Sequence, residues 1–275
     1  GLCRCRHPLV AGLLLLPLAS LAGCVVRVDS DGYRTRQEKR FRVTGTPDVR
    51  LATFDGSIVV RGWERDEVYV EVEKRGRDRE EADSIEVVSD QQGQQVSVEA
   101  RQPKARQYGF GVVTTLSRGT RLVASVPSGS NIVLRTGDGS LNIERVHGRI
   151  ELRTGDGSVT GLDLAGDVFA HTEDGSIRLE GVEGRCDIAP DGGRIALQGR
   201  RDALRARSGD GSVVAKLLPG SKVTSDWSLS TGDGALVYGA LLTPKGMIVA
   251  DGWTFRISAE RLLFTRWVLV MTGFE

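Results

Sequence analysis

Three nearly identical five-residue turns, Thr136-Gly137-Asp138-Gly139-Ser140, Thr154-Gly155-Asp156-Gly157-Ser158 and Thr172-Glu173-Asp174-Gly175-Ser176, recur with their aspartates 18 residues apart. Degenerate copies follow at Asp191-Gly192-Gly193, Ser208-Gly209-Asp210-Gly211-Ser212 and Thr231-Gly232-Asp233-Gly234-Ala235, at spacings of 17, 19 and 23. A period near 20, with one alternating segment before each turn and one after it, marks a chain of stacked coils. In Ile150-Glu151-Leu152-Arg153-Thr154 the residues Ile150, Leu152 and Thr154 share one face of a strand, and Glu151 and Arg153 face the other way. The equivalent inward sets are Ile132, Leu134, Thr136, Leu141 and Ile143 in the coil before, and Val168, Ala170, Thr172, Ile177 and Leu179 in the coil after. After the turn at Asp156, Val159 and either Leu162 or Leu164 fill the inward places.

One such coil cannot cover its own apolar face, so coils must stack and extend their sheets. At about 3.3 Å per residue a five-residue strand is near 17 Å long. Two of these and two corners, the second at Gly148, Gly166 and Gly184, use up the 18-residue period and leave no room for a crossover helix. The predicted fold is therefore all-β: a parallel β-solenoid, β-helix-like, with about 18-residue coils and two short strands per coil. The 35 glycines and the 5% aromatic content agree with many short strands and tight turns.

The start of the chain has a different character. Arg4, Arg6 and His7 precede the apolar stretch Leu9 to Leu18, which Pro17 interrupts and which is too short for a comfortable membrane span. Small residues then lead to Leu21-Ala22-Gly23-Cys24. This order is that of an export signal, and its end resembles the lipobox of bacterial lipoproteins, which implies lipidation of Cys24 and anchorage in a membrane. The division expected is a signal peptide over 1–23, a tether over 24–46, opening strands over 47–130, the repeat solenoid over 131–240, and a C-terminal cap or aberrant tail over 241–275. Val25 rather than Asp follows the anchor, which in such lipoproteins resembles outer-membrane sorting. Of the four cysteines only Cys186 remains after Cys3 and Cys5 leave with the signal and Cys24 is lipidated, and Cys186 occupies a position held by Ile132, Ile150 and Val168 in other coils.

The opening strand pair with Asp55-Gly56-Ser57-Ile58, the strand Leu122 to Pro127 ending in Val-Pro, and the Thr-Gly-Asp-Gly-Ser copies together resemble an adhesin family of bacterial envelope proteins. This is a domain-of-unknown-function class built as a single-stranded β-helix. The resemblance covers roughly residues 47 to 240 and implies architecture, with no catalytic residues to transfer. Beyond Ala240 the turn period is lost and the apolar run Leu262 to Met271 departs from the pattern.

One constellation invites a chemical reading. In register, Asp138, Asp156, Asp174, Asp210 and Asp233 form a column with steps of about 4.8 Å, where like charges repel by roughly 1 kcal/mol per neighbouring pair in water. The occupant such a column would take is Ca²⁺. The simpler reading has each Asp accept its own turn amides while the following Gly takes a positive φ, and on that reading no cofactor is expected. Outside the signal the histidines are His147 and His171, both at surface positions, and no nucleophile triad, zinc spacing or phosphate loop is evident.

Once 1–23 are set aside, with Arg4 and Arg6, 35 basic residues stand against 36 acidic ones, and no nucleic-acid footprint follows. The expected protein is not an enzyme. It is a lipid-anchored envelope module on the periplasmic side or the surface of the outer membrane, offering a ladder face to a glycan or protein. Strand parity nominates Arg135, Asn142, Glu151, Arg153, Thr160, Phe169, His171 and Arg178 for that face. The alternatives are a carbohydrate-active β-helix enzyme, which needs a clustered carboxylate pair, and an envelope-stress signalling accessory.

Overall fold

The computed structural model describes residues 25–29, 32–102, 119–218, 227–232, 235–240, 247–251, 254–257 and 262–264. The strands before the repeat are β1 (Val25–Asp29), β2 (Gly32–Arg42), β3 (Asp48–Thr53), β4 (Ile58–Trp63) and β5 (Glu67–Gly76). After the short helix α1 (Arg79–Ser84) come β6 (Glu86–Gln92), β7 (Gln95–Arg101) and β8 (Gly119–Pro127). The repeat contributes β9 (Asn131–Thr136), β10 (Leu141–Thr154), β11 (Val159–Thr172), β12 (Ile177–Pro190), β13 (Ile195–Ser208) and β14 (Val213–Leu217). The chain continues through β15 (Trp227–Thr231), β16 (Ala235–Ala240), β17 (Met247–Asp251), β18 (Thr254–Ile257) and β19 (Leu262–Phe264).

These strands join in one mixed sheet that folds into two layers, all-β and solenoid-like. In the repeat the pairing is parallel with the expected step: Leu141 lies opposite Val159, Val159 opposite Ile177 and Ile177 opposite Ile195. Every inward residue named from parity is buried, and Leu164 rather than Leu162 fills the inward place, at 1% exposure against 42%. Two expectations about the coil are corrected. First, β10 to β13 are each one 14-residue strand that bends at the second corner, where the pairing skips or shifts by one or two residues before it resumes, not two separate short strands. The bend is accommodated by left-handed backbone in register, at Arg145 (φ 56), Asp163 (φ 52) and Gly181 (φ 64), and by Gly148, Gly166 and Gly184 beyond it. Second, the pairing is not parallel throughout. Antiparallel strands lie at both ends: β1, β2 and β5 against β8, and β6 against β7 at one; β17 against β16, and β18 and β19 beyond β15 at the other. Antiparallel strands of this kind occupy edges that would otherwise present unpaired backbone groups.

Layer order is not chain order. On one side the sequence of neighbours is β6, β7, β3, β9, then the second halves of β10 to β13. On the other it is β2, β5, β8, β4, then the first halves of β10 to β13. The coil made by β3 and β4 is thus sandwiched between a later coil, β7 and β8, and a still later one, β9 and β10. Its turn at Asp55-Gly56 stacks beneath the first repeat turn, and Thr136 Oγ1 donates to the Gly56 carbonyl at 2.9 Å.

Residues 24–46, read from their charge as a tether, contain β1 and β2, and β2 runs antiparallel along β5 for ten residues from Tyr33–Gly76 to Arg42–Glu67. Here the charges belong to a paired strand, with Arg36 bonded to Glu71 at 3.0 Å and Arg40 to Glu67 at 3.3 Å. The charged segment after β5 forms α1. Asp78 caps it by accepting from Glu81 N at 2.8 Å, and Glu81 Oε2 accepts in return from Arg77 N at 2.7 Å. The helix buries Ala82 beside the end of the core, and Lys74 there donates to the Ile85 carbonyl at 3.0 Å.

Candidate binding face

Alternation decides which side chains leave the core, and the bend at the second corner decides which side of the molecule they reach. The first half of each coil strand lies in one layer and the second half in the other, so outward residues of the two halves face away from each other. Of the eight residues nominated from parity, Arg135, Glu151, Arg153, Phe169 and His171 lie together on the layer that contains β3, β7 and β9. Asn142, Thr160 and Arg178 form a row of consecutive partners on the opposite layer. The expected single face is therefore two.

Phe169 is central to the first of them. Glu151 and Asp187 are its partners on the neighbouring coils, and Arg149 places its guanidinium 4.9 Å from the ring centroid. Two shallow grooves share Phe169 as a wall. One, of about 220 Å³, is lined by Arg149, Glu151, Arg153, His171 and Asp187 among others. The other, of about 330 Å³, is lined by Arg185, Asp187, Ala203 and Arg205 and reaches down to Cys186. Glu151 accepts from Arg135 at 3.2 Å and from Arg153 at 3.1 Å, so one carboxylate serves two guanidiniums. His171 Nδ1 lies 2.5 Å from the Ala189 carbonyl oxygen. In the neutral ring this makes Nδ1 the donor and leaves Nε2 an acceptor. Arg149, Arg185, Asp187, Arg205 and Arg207 belong to this face by the same parity that nominated Glu151, and continuing the alternation along each strand would have included them.

Asp138, Asp156, Asp174 and Asp210 recur at one turn position and are exposed, while Asp233 lies outside the described residues, as does Cys24. Among the described residues, no three His, Cys, Asp or Glu side chains converge on a point where a metal ion would sit. Nor does the glycine after each Asp take a positive φ at positions 139, 157, 175, 193 or 211. A Cβ there would meet the carbonyl oxygen of the equivalent glycine in the coil below at 1.5 to 2.1 Å, so close approach excludes every larger residue. The threonines serve the same stack from inside: Thr154 Oγ1 lies 3.0 and 2.8 Å from the Gly137 and Gly139 carbonyls, and Thr172 repeats this with Gly155 and Gly157.

Cys186 is buried at 1% exposure between Val168 and Leu204, in a hydrophobic place. Away from the Phe169 face, burial, reinforced by the neighbouring Glu38, raises the Tyr69 phenol above its ordinary range. A hydrogen bond to Glu99 makes Arg101 more basic than usual.

No curated protein matches the chain. Among the solved structures that resemble it are three, each named only as a putative protein of its kind. A cell adhesion protein from Clostridium sporogenes ATCC 15579 is 11% identical over 75% of this chain and 94% of its own, with a TM-score of 0.35. An adhesin from Bacteroides fragilis NCTC 9343 is 12% identical over 75% and 97%, with a TM-score of 0.38. A lipid binding protein from Parabacteroides distasonis ATCC 8503 is 12% identical over 74% and 93%, with a TM-score of 0.29. Residues 48–236, from the first strand of the sandwiched coil to β16, match the Toastrack DUF4097 domain, and the chain belongs to that family.

Proposed function

We propose that the protein is a non-enzymatic binding module of the cell envelope, anchored by a lipid on Cys24 and facing the periplasm or the outer surface. It engages an envelope glycan or protein through the Phe169 face. The observation that carries this reading is the open face itself, where one aromatic ring separates two grooves bordered by arginines and carboxylates. An aromatic wall with planar charged groups beside it suits a ligand that presents an apolar patch and many hydroxyl or amide groups. The family assigns a β-rich scaffold and no chemistry, so the site must speak for itself.

Retention of envelope fractions and of a glycan panel on the immobilised full chain tests the face. Phe169→Ala is expected to weaken retention about tenfold, equivalent to roughly 1.4 kcal/mol, and Arg178→Ala on the opposite layer to leave it unchanged. Equal losses from both would remove the assignment to this face, and cleaved glycan among the products would overturn the non-enzymatic reading. The anchor has its own test. Cells fed labelled palmitate should label the wild-type chain and not Cys24→Ala, and label persisting in that variant would end the lipoprotein proposal.

A further inference from the structure

Charge is sorted between the two layers. On the Phe169 face, the outward residues of β9 and of the second halves of β10 to β13 include Arg135, Arg149, Arg153, Arg185, Arg205 and Arg207 against Glu151, Asp167 and Asp187. With the exposed Asp202 at the bulge of β13 counted as well, that is a surplus of two positive charges before His171 is considered. The outward residues in the first halves of β10 to β13 carry Arg178 against Glu144 and Glu180. A chain with a formal charge of +1 thus concentrates its cations on one face of the repeat.

The cations are also aligned. Arg135, Arg153 and His171 are successive partners across three coils, Ala189 follows, and Arg207 resumes the line next to the paired Ile188 and Ala206. No carboxylate lies in this row between Arg135 and Arg207, and Ala52 and then Glu99 continue it on the other side of Arg135. Its steps are the strand spacing of about 4.8 Å, close to the length of one sugar ring in a linear chain. Two of the three acids sit in the adjoining row on either side of Phe169, where Glu151 is divided between two arginines and Asp187 is 3.9 Å from Arg205, and Asp167 lies one row further on, between Arg149 and Arg185.

We infer that this face binds an acidic polysaccharide laid along the stacking axis, its carboxylates meeting the Arg135–Arg153–His171–Arg207 row while a sugar ring packs against Phe169. The inference rests on the binding-module reading above and specifies its ligand. A protein partner is less well served, because the core of a protein interface is rich in aromatic and other apolar groups, and Phe169 is the single aromatic among these outward positions. A single-stranded nucleic acid would need several stacking rings for the same reason.

The full chain should bind an oligogalacturonate long enough to span several coils, and bind a neutral glucan oligomer of equal length at least tenfold more weakly. The double variant Arg153→Gln/Arg207→Gln should weaken oligogalacturonate binding at least tenfold, with Arg178→Gln unchanged. Raising salt from about 50 to about 300 mM should weaken the wild type more than the double variant, since exposed charges are then screened. Comparable binding of the neutral glucan, of poly-glutamate or of a single-stranded oligonucleotide, or no loss in the double variant, would overturn the inference. If envelope material is retained through Phe169 while oligogalacturonate is not, the acidic-glycan assignment fails and the binding-module reading stands. If neither is retained, both fall.

Discussion

Gly157→Ala is expected to destabilise the protein by about 3 kcal/mol or more, toward the upper end of what overpacking a close-packed interior costs. The new methyl would lie 1.9 Å from the Gly139 carbonyl oxygen and 2.7 Å from Thr154 Oγ1. The first of these is backbone held by its own coil, so it cannot rotate aside. Relief requires the two coils to separate at the turn, which would stretch the bond from Gly155 N to the Gly137 carbonyl, now 2.6 Å. Gly129→Ala is the matched control, because a Cβ there meets nothing within 4 Å, and it should shift stability by less than about 0.5 kcal/mol. Urea unfolding followed by circular dichroism reads both. An unchanged midpoint for Gly157→Ala would mean that the turns are not in van der Waals contact from coil to coil.

Thr172→Val should cost about 2 kcal/mol, since it keeps the shape of the side chain and removes a hydroxyl that is buried at 0% exposure. That hydroxyl lies 2.6 Å from the Gly155 carbonyl and 3.1 Å from that of Gly157, and it accepts from Gly175 N at 3.0 Å. Valine would take this partner from the Gly157 carbonyl and from Gly175 N in a place water does not reach, while the Gly155 carbonyl keeps the Glu173 amide at 2.9 Å. Thr172→Ser should cost clearly less, because Ser208 performs the same service two coils on, accepting from Gly211 N and donating to the Gly193 carbonyl. The coil between them has Pro190 in register with Thr172, so a single layer without the hydroxyl is tolerated where the turn itself has changed to Asp191-Gly192-Gly193. If Val and Ser proved equally mild, the threonine column would be there for its methyl group alone.

What could be read from the residues was whatever repeats. The 18-residue spacing located the turns, and alternation found the inward residues of both halves of each coil, because both signals survive in a single sequence. The sandwiched coil carries no such signal: Val49 and Ile132 are partners 83 positions apart, and nothing in either segment records the distance. Strand β2 was hidden for a different reason. Its inward parity carries Thr35, Gln37 and Lys39 before Phe41, so charge spoke for a tether and only pairing with β5 reveals a strand. The candidate face was half legible. Parity told outward from inward but not that the corner at Gly148 and Gly166 turns Asn142, Thr160 and Arg178 away from Phe169. The turn glycines were recognised for the wrong cause, since left-handed geometry and close approach select the same residue and leave the same trace in a sequence.

The interleaved coil makes the two ends of the molecule unequal in how they can change. Nothing can be removed from the block of β3 to β10 without leaving the sandwiched layer open on one side. Beyond β10 each coil rests only on the one before it. Excising residues 159–176 would bring Ile177 opposite Leu141 in the register that Val159 now holds. Length is therefore adjustable in whole coils of about 4.8 Å each, by duplication or loss of an 18-residue unit in the gene. How many charged rungs the face presents is a matter of copy number rather than of redesign.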